Sequence, residues 1–338
     1  MSKDRLDWER DSAGWPHRAA SRFVDAAGLR WHVQQTGAAS ARAAEASPPA
    51  ASMSATATAT AHATAHATAS ATATASDTAP YALLLHGTGA ATHSWRGLVP
   101  LLAPHFQVIA LDLPSHGFTG PAPAWQMSLP GMARAVSDLL AALKVQPQLV
   151  VGHSAGAAIA ARMCLDGYIA PAALVSLNGA LLPLGGLPGL LFPPVAKLMA
   201  AVPFVPALFA RRAADAAAVQ RLIEGTGSRL DASGAELYGR LLRSPGHAAG
   251  ALAMMANWDL QPLERDFPRL QAPLTLVVGS GDLAVPPAHA HRVRALVPHS
   301  RLVTLPALGH LAHEEQPERV AAEVLTAALP VQAQPGTP

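Results

Sequence analysis

From Tyr81 onward, apolar runs of strand length alternate with segments of helical length. The six apolar runs are YALLL, FQVIAL, QLVV, ALVSL, PLTLVV and RLVTL. Strands that are apolar along their whole length are typical of a parallel sheet whose two faces are both covered. The pattern therefore predicts an α/β fold, with helices on both sides of a mostly parallel sheet.

The alternation stops at Asn178 and resumes near residue 273. Between these points, residues 180–257 hold proline-rich apolar sequence followed by helical pieces, which predicts a helical lid inserted into the sheet domain. Within the lid, residues 180–210 carry Lys197 as their sole charge. Their prolines and glycines are too dense for a membrane-spanning helix. We expect an apolar lid, or a surface that contacts a membrane.

These features divide the chain into consecutive segments. Residues 46–76 contain no Asp, Glu, Lys or Arg and almost no large apolar side chain, so we expect them to be disordered. The predicted segments are an N-terminal segment with a β-hairpin that turns at Ala27 and Gly28 (1–37), a disordered Ala/Thr-rich insertion (38–79), the first half of the core (80–179), the lid (180–257), the second half of the core (258–330) and a disordered tail (331–338).

The run LVVGHSAGAAIA, residues 149–160, places Ser154 between a buried strand and a helix of small residues. A GxSxG pattern alone is weak evidence, but a sharp strand-to-helix turn is the context that such a nucleophile needs. Gly152 and Gly156 would remove side chains that collide as the helix folds back on the sheet. We interpret Ser154 as a nucleophile at the carboxyl edge of the sheet.

A serine hydroxyl needs a base to take its proton. His310 is the favoured base, because RLVTLPALGH is a strand and short loop that delivers the imidazole to the same edge of the sheet. The alternative is His313, which otherwise would be a polar residue that opens the last helix.

The base in turn needs a carboxylate that fixes its tautomer. Asp282, in the loop after another buried strand, is the favoured acid; otherwise it would only form a turn. Asp112 is less favoured because it precedes the nucleophile, and Asp259 because it resembles a helix cap. The order Ser154, Asp282, His310 is the chain order of one particular fold.

Acyl transfer also requires two backbone donors for the developing oxyanion. We expect them to be the amides of Ala155, directly after the serine, and of Thr88, in the HGTG run after the first long strand. His86 in the same run is expected to shape the loop and to take no part in proton transfer.

Composition excludes several classes of function. The net charge of +2 comes without any block of Lys or Arg, so we expect no nucleic-acid partner. No dinucleotide fingerprint, Walker loop or zinc constellation is present, so no cofactor or metal is expected. The charged N-terminal stretch lacks the apolar core of a signal peptide, and Cys164 is the sole cysteine. Both favour a cytoplasmic location, with Cys164 as a core residue.

The motifs LLLHGTG, LDLPSHGFTG, VVGHSAG, VVGSGD and GH, over residues 20–37 and 80–329, resemble the α/β-hydrolase superfamily. That resemblance implies an eight-stranded, mostly parallel sheet with an inserted lid. One departure is Ser115, where the pattern usually has glycine; a left-handed backbone there would cost about 1 kcal/mol.

More narrowly, HGTGAATHSWR, LNGALLP and MMANWDL resemble the magnesium chelatase accessory proteins of bacteriochlorophyll biosynthesis, the BchO type. That resemblance implies a role beside magnesium insertion, with chelatase subunits and a tetrapyrrole as candidate partners. Three functions are favoured: hydrolysis of a hydrophobic ester, non-catalytic holding or handover of a porphyrin, and a general carboxylesterase activity unrelated to pigment synthesis. Halide-assisted or cofactor-free oxidation by the same three residues is a less favoured alternative.

Overall fold

The computed structural model describes residues 4–37, 79–183 and 204–329, together with the single positions 199 and 202. The expected Ala/Thr-rich insertion lies outside the described residues except for its last position. The tail at 331–338 and Lys197 in the lid also lie outside them.

Eight strands of the described chain form one sheet, in the order β1-β2-β4-β3-β5-β6-β7-β8. The antiparallel pairs are β1 with β2 and β2 with β4, and all other neighbours are parallel. This confirms the expected α/β class and the mostly parallel eight-stranded sheet. The strands are β1 (Ser21–Ala26), β2 (Leu29–Thr36), β3 (Tyr81–Leu85), β4 (Gln107–Leu111), β5 (Pro147–His153), β6 (Ala173–Leu177), β7 (Leu274–Gly279) and β8 (Arg301–Leu305).

Helices connect the strands and fill the segment between β6 and β7. Within the described residues they are α1 (Trp8–Asp11), α2 (Val99–Leu102), α3 (Leu129–Leu143), α4 (Ala155–Leu165), α5 (Val205–Arg212), α6 (Ala216–Glu224), α7 (Ala232–Leu242), α8 (Pro245–Ala256), α9 (Gln261–Asp266), α10 (Ala288–Leu296), α11 (Ala312–Glu315) and α12 (Pro317–Ala328). Helices α5 to α8 belong to the predicted lid.

Successive residues of the central strands supply two separate cores. Leu83 and Leu85 of β3 pack in the cluster that includes residues of α3, α4 and α10. Ala82 and Leu84 of the same strand pack in the cluster that includes residues of α2 and α12. Because side chains alternate across a strand, a fully apolar strand serves both layers, which explains the continuous apolar runs of the sequence.

The predicted hairpin forms where the sequence indicated. Ala27 and Gly28 connect β1 and β2, with φ values of 53° and 75°. Positive φ at both central residues is the conformation of a tight hairpin turn that matches the twist of its strands.

Asp112, at the end of β4, holds several loops together and is fully buried. Its carboxylate accepts hydrogen bonds from His32 Nδ1 at 2.8 Å, the amide of Thr92 at 2.7 Å and the amide of Phe118 at 2.9 Å. Burial would raise the pKa of Asp112, but the adjacent His32, with smaller effects from His86 and the Phe118 amide, holds this pKa well below its ordinary value. Asp112 therefore anchors the segments that carry His32, Thr92 and Phe118, and this differs from the role of a triad acid.

Ser115 follows in the same loop with a φ of 63°. The left-handed backbone that the usual glycine suggested is therefore present, and serine adopts it. Its Oγ accepts a hydrogen bond from the amide of Ala122 at 2.9 Å, which contributes to holding the turn.

We expect Asp112→Asn to lower the free energy of unfolding by about 3–5 kcal/mol, because it breaks a buried, multiply bonded pair. The matched control is Asp138→Asn, which removes an exposed pair with Arg134 and should cost less than about 1 kcal/mol. Urea denaturation at neutral pH measures both.

Comparing wild type with Asp112→Asn over a range of pH tests whether the stability that Asp112 contributes is electrostatic in origin. A carboxyl with a depressed folded pKa contributes fully above its unfolded value, about 4, and loses this contribution as the pH falls toward its folded value. The difference between wild type and Asp112→Asn should therefore shrink below about pH 4. A difference that is independent of pH would contradict the assignment.

Candidate active site

Ser154 lies at the turn from β5 to α4 and has φ 51° and ψ −118°. A non-glycine residue at such angles is strained and persists only where its surroundings impose the conformation. Here the amide of Ser154 donates to Leu177 O at 3.0 Å, and its carbonyl accepts from the amide of Ala180 at 3.0 Å. The backbone N–H and C=O of Ser154 are thus hydrogen-bonded to the end of β6 and to the segment that follows it.

The two glycines beside Ser154 are required by close backbone contacts. A Cβ on Gly152 would overlap the Cα of Ala157, and a Cβ on Gly156 would overlap the carbonyl oxygen of Leu85. This confirms the expectation that the flanking glycines let the helix fold back on the sheet.

His310 and Asp282 meet at the same edge of the sheet. The Nδ1 atom of His310 lies 2.8 Å from Asp282 Oδ2, and both residues are buried. The other oxygen, Oδ1, accepts the amides of Ala284 and Val285, each at 2.8 Å. Asp282 therefore forms the local turn and also meets the imidazole, so the two interpretations of this residue are compatible.

Ser154, His310, Thr88 and Ala155 line one cavity of about 380 Å³. Within the described residues the Ser154 hydroxyl makes no hydrogen bond, and hydrogen bonds of this kind often form only when substrate is bound. The remaining lining is mainly apolar, with three polar residues: Ala180, Leu182, Pro183, Met255, Trp258, Asp259, Leu260, Gln261, Ala284, Val285 and His289.

The two residues expected to donate to an oxyanion, Ala155 and Thr88, both line the cavity that contains Ser154. Ala155 is the first residue of α4, and amides of the first turn have no carbonyl partner within the helix and point toward the positive end of its dipole. Thr88 lies in the loop after β3, and its Oγ1 donates to the sulfur of Met254 in α8 at 3.3 Å. The loop is further held by His86, which accepts the amide of Leu113 at Nε2. This leaves Nδ1 to donate to Gly87 O at 2.8 Å.

The alternative base, His313, is not in the cavity lining. It is fully buried within α11, with its ring 4.8 Å from Trp95 and 4.5 Å from His153 between centroids. Burial, with smaller effects from His310 and Arg96, lowers the pKa of His313 to about 3. The expectation of a polar residue that opens the last helix is wrong, because α11 turns this side chain inward.

Asp259 is the remaining alternative acid. It lines the cavity, and its Oδ1 accepts the amide of Gln261 at 3.0 Å. Gln261 is the first residue of α9 and Leu260 is its N-cap. Asp259 therefore bonds the start of the helix from one residue before the cap position and is not the cap itself.

Two further residues, His153 and Asn178, bond the candidate base and the candidate acid, and the sequence analysis gave them no role. His153 Nε2 donates to His310 O at 2.9 Å, and burial lowers the pKa of His153 well below its usual value. Asn178 Nδ2 donates to Asp282 Oδ2 at 2.8 Å. Their positions directly before the nucleophile and directly after β6 were visible, but their partners lie more than 100 residues away.

The turn after α6, in the predicted lid, is hydrogen-bonded to the loop that carries Asp282 and to the loop that carries His310. The carbonyl of Thr226 accepts the amides of Leu283 at 3.1 Å and His310 at 3.3 Å. The Oγ of Ser228 accepts the amide of Leu311 at 2.8 Å. The backbone of the candidate base His310, and that of Leu283 and Leu311 beside the candidate acid and base, is therefore hydrogen-bonded to the predicted lid.

A buried ionic contact fixes the lid helix α7 beside them. Glu314, fully buried, pairs with Arg96 and accepts the hydroxyl of Tyr238 at 2.6 Å. Burial raises the pKa of Glu314 to about 7, although Arg96 and Tyr238 both oppose the rise.

No helix in the described ranges has the length and hydropathy needed to cross a bilayer. Among those residues, no group of three or more His, Cys, Asp or Glu is placed to bind a metal ion. Cys164 is half-buried against the core, and burial raises the pKa of its thiol to about 12.

A family model described as alpha/beta hydrolase fold matches residues 83–317. The chain therefore belongs to the α/β-hydrolase fold family. Among the solved structures that share the fold are an α/β hydrolase fold protein from Burkholderia ambifaria, with a TM-score of 0.65 and 21% identity over 90% of this chain and 99% of that one, and the epoxide hydrolase CorEH, with a TM-score of 0.66 and 19% identity over 91% and 97%.

Within this family, the chain is similar to the protein named magnesium-chelatase 30 kDa subunit of Rhodobacter capsulatus. The two are 39% identical over 235 residues, which cover 70% of this chain and 82% of that protein. The narrower resemblance that the motifs indicated is thereby confirmed.

We expect Gly156→Ala to lower the free energy of unfolding by about 1–3 kcal/mol, because the added methyl group forces α4 away from Leu85. The control is Gly120→Ala, whose new Cβ would lie 3.6 Å from its nearest atoms, in the backbone of Arg30. Urea denaturation of both variants measures the difference. Equal stabilities of the two variants would contradict the tight contact at the turn.

Proposed function

We propose that this protein is a serine hydrolase that cleaves an ester of a hydrophobic substrate. The observation that carries the proposal is that the strained Ser154 and His310 line one cavity, and that His310 Nδ1 is hydrogen-bonded to Asp282. A nucleophile, a base and an orienting carboxylate in that arrangement are what acyl transfer requires.

The geometry supports a two-step reaction. With Nδ1 engaged by Asp282, the Nε2 atom of His310 takes the proton as Ser154 Oγ attacks the ester carbonyl. The amides of Ala155 and Thr88 stabilise the negative charge that develops on the carbonyl oxygen. His310 then returns the proton to the leaving alcohol, and a water molecule, activated by the same imidazole, releases the acid from Ser154.

The cavity supports a hydrophobic substrate. Its walls beyond the reacting end include Leu182, Met255, Trp258 and Leu260, which offer apolar contacts for the body of the substrate. By analogy with the relative that is named as a magnesium-chelatase subunit, we place the reaction at the magnesium chelatase step of bacteriochlorophyll synthesis. A tetrapyrrole ester is the substrate class, and chelatase subunits are the partners.

We further propose that the protein is cytoplasmic and makes peripheral membrane contact through the lid. Exposed Phe204 and Leu208 of the lid, with exposed Arg211 and Arg212 beside them, favour that contact.

Ser154→Ala should reduce kcat/KM for a hydrophobic p-nitrophenyl ester by about 1,000-fold or more, because the nucleophile is removed. The matched control is Ser94→Ala, which removes a fully buried hydroxyl that has no hydrogen-bond partner in the described structure, and it should retain activity within about 3-fold. Steady-state kinetics measure both. Ester hydrolysis that survives in Ser154→Ala would contradict the proposal.

A second candidate function is non-catalytic holding or handover of a porphyrin. The apolar cavity and the name of the Rhodobacter capsulatus relative favour it, and neither requires turnover. A general carboxylesterase without a role in pigment synthesis is the third candidate.

Complementation separates these functions. In a Rhodobacter capsulatus strain that lacks its 30 kDa subunit, we expect the wild-type gene to restore bacteriochlorophyll and the Ser154→Ala gene to fail at equal protein level. Restoration by both genes would favour porphyrin binding. Restoration by neither, with esterase activity intact, would favour the general carboxylesterase.

A further inference from the structure

Asn178 occupies a constrained position directly after β6. Its φ is 46°, it is almost fully buried, and its amide donates to the carbonyl of Val277 in β7 at 2.8 Å. The backbone of this residue is therefore fixed by the sheet itself, so its side chain projects from a rigid base.

The side chain of Asn178 contacts both loops that carry the proposed acid and base. Its Nδ2 donates to Asp282 Oδ2 at 2.8 Å and to Gly309 O, directly before His310, at 3.2 Å. Both partners are acceptors, so the nitrogen of the amide, and not its oxygen, must face them. One amino group thus bridges the two loops.

The oxygen that Asn178 binds is the one that meets His310 Nδ1. Because Oδ1 is held by the amides of Ala284 and Val285, the carboxylate of Asp282 receives four donors. We propose that Asn178 is a positioning residue that sets the orientation of Asp282 and, through it, of the His310 ring. This inference rests on the proposed hydrolase function.

A purely structural explanation is that Asn178 is present because asparagine tolerates a left-handed backbone. Aspartate shares that tolerance and has nearly the same shape. It would, however, replace the amino donor by a second carboxylate against Asp282. Asn178→Asp therefore separates the two explanations, since it conserves the backbone and removes the donation.

We expect Asn178→Asp to reduce kcat/KM by about 100-fold, mainly through kcat, because a small misplacement of the base has that effect. The acidic limb of its pH profile should move to higher pH, since two adjacent carboxylates do not readily both lose their protons. Asn178→Ala should lose activity without that movement of the profile.

The control is Ser228→Ala. Ser228 is also fully buried, and its Oγ also bonds the loop of the base, at the amide of Leu311, but it makes no hydrogen bond to Asp282 in the described structure. We expect it to stay within about 5-fold of wild type with an unchanged profile. The inference would be overturned if Ser228→Ala and Asn178→Asp lost equal amounts of kcat/KM with unchanged pH profiles. It would also be overturned if Asn178→Asp kept a kcat/KM near that of wild type.

A readout that needs no turnover keeps this inference separate from the proposed function. The downfield proton resonance of His310 Nδ1–H, assigned by its absence in His310→Ala, should shift or broaden in Asn178→Asp and persist in Ser228→Ala. An unchanged resonance in Asn178→Asp would overturn the positioning role alone. Full activity of Ser154→Ala would overturn the hydrolase proposal alone.

Discussion

The strained backbone of Ser154 is the constraint on which the rest of the site depends. Gly152 lets α4 lie close to β5, and Gly156 lets it lie close to Leu85 at the end of β3. Ser154, in the sharp turn between these glycines, has a positive φ. Such strain costs about 1–3 kcal/mol. Hydrogen bonds to Leu177, the last residue of β6, and to Ala180 in the segment that follows hold this backbone in place, so the parallel sheet contributes to stabilising the conformation that exposes the hydroxyl.

Burial then divides the imidazoles by function. His86, His153 and His313 are enclosed, and desolvation is the main cause that lowers the pKa of each, so they remain neutral supports at ordinary pH. His310 instead lines the cavity and is anchored by Asp282. Among the neutral rings, His153 packs against His310 with 4.8 Å between ring centroids and donates to its carbonyl. In the proposed mechanism, His310 is the imidazole that exchanges protons with the substrate.

Much of this arrangement could be predicted from the sequence, because its signals are local. The alternation of apolar runs indicated the sheet, and the run of small residues after Ser154 indicated helix α4. The loop positions of Asp282 and His310 followed from the strands before them. The contacts of Asn178 and the inward turn of His313 could not be predicted, since they depend on which distant loops meet. The hydrogen bonds from Thr226 to both loops are equally nonlocal.

The most direct test of the central claim is to map the site of covalent modification by a fluorophosphonate. An activated serine reacts with this reagent, whereas an ordinary serine hydroxyl is a poor nucleophile without a base. Intact-mass measurement followed by peptide mapping should show a single adduct, on the peptide that contains Ser154. An absence of adduct, or an adduct on a different serine, would contradict the account.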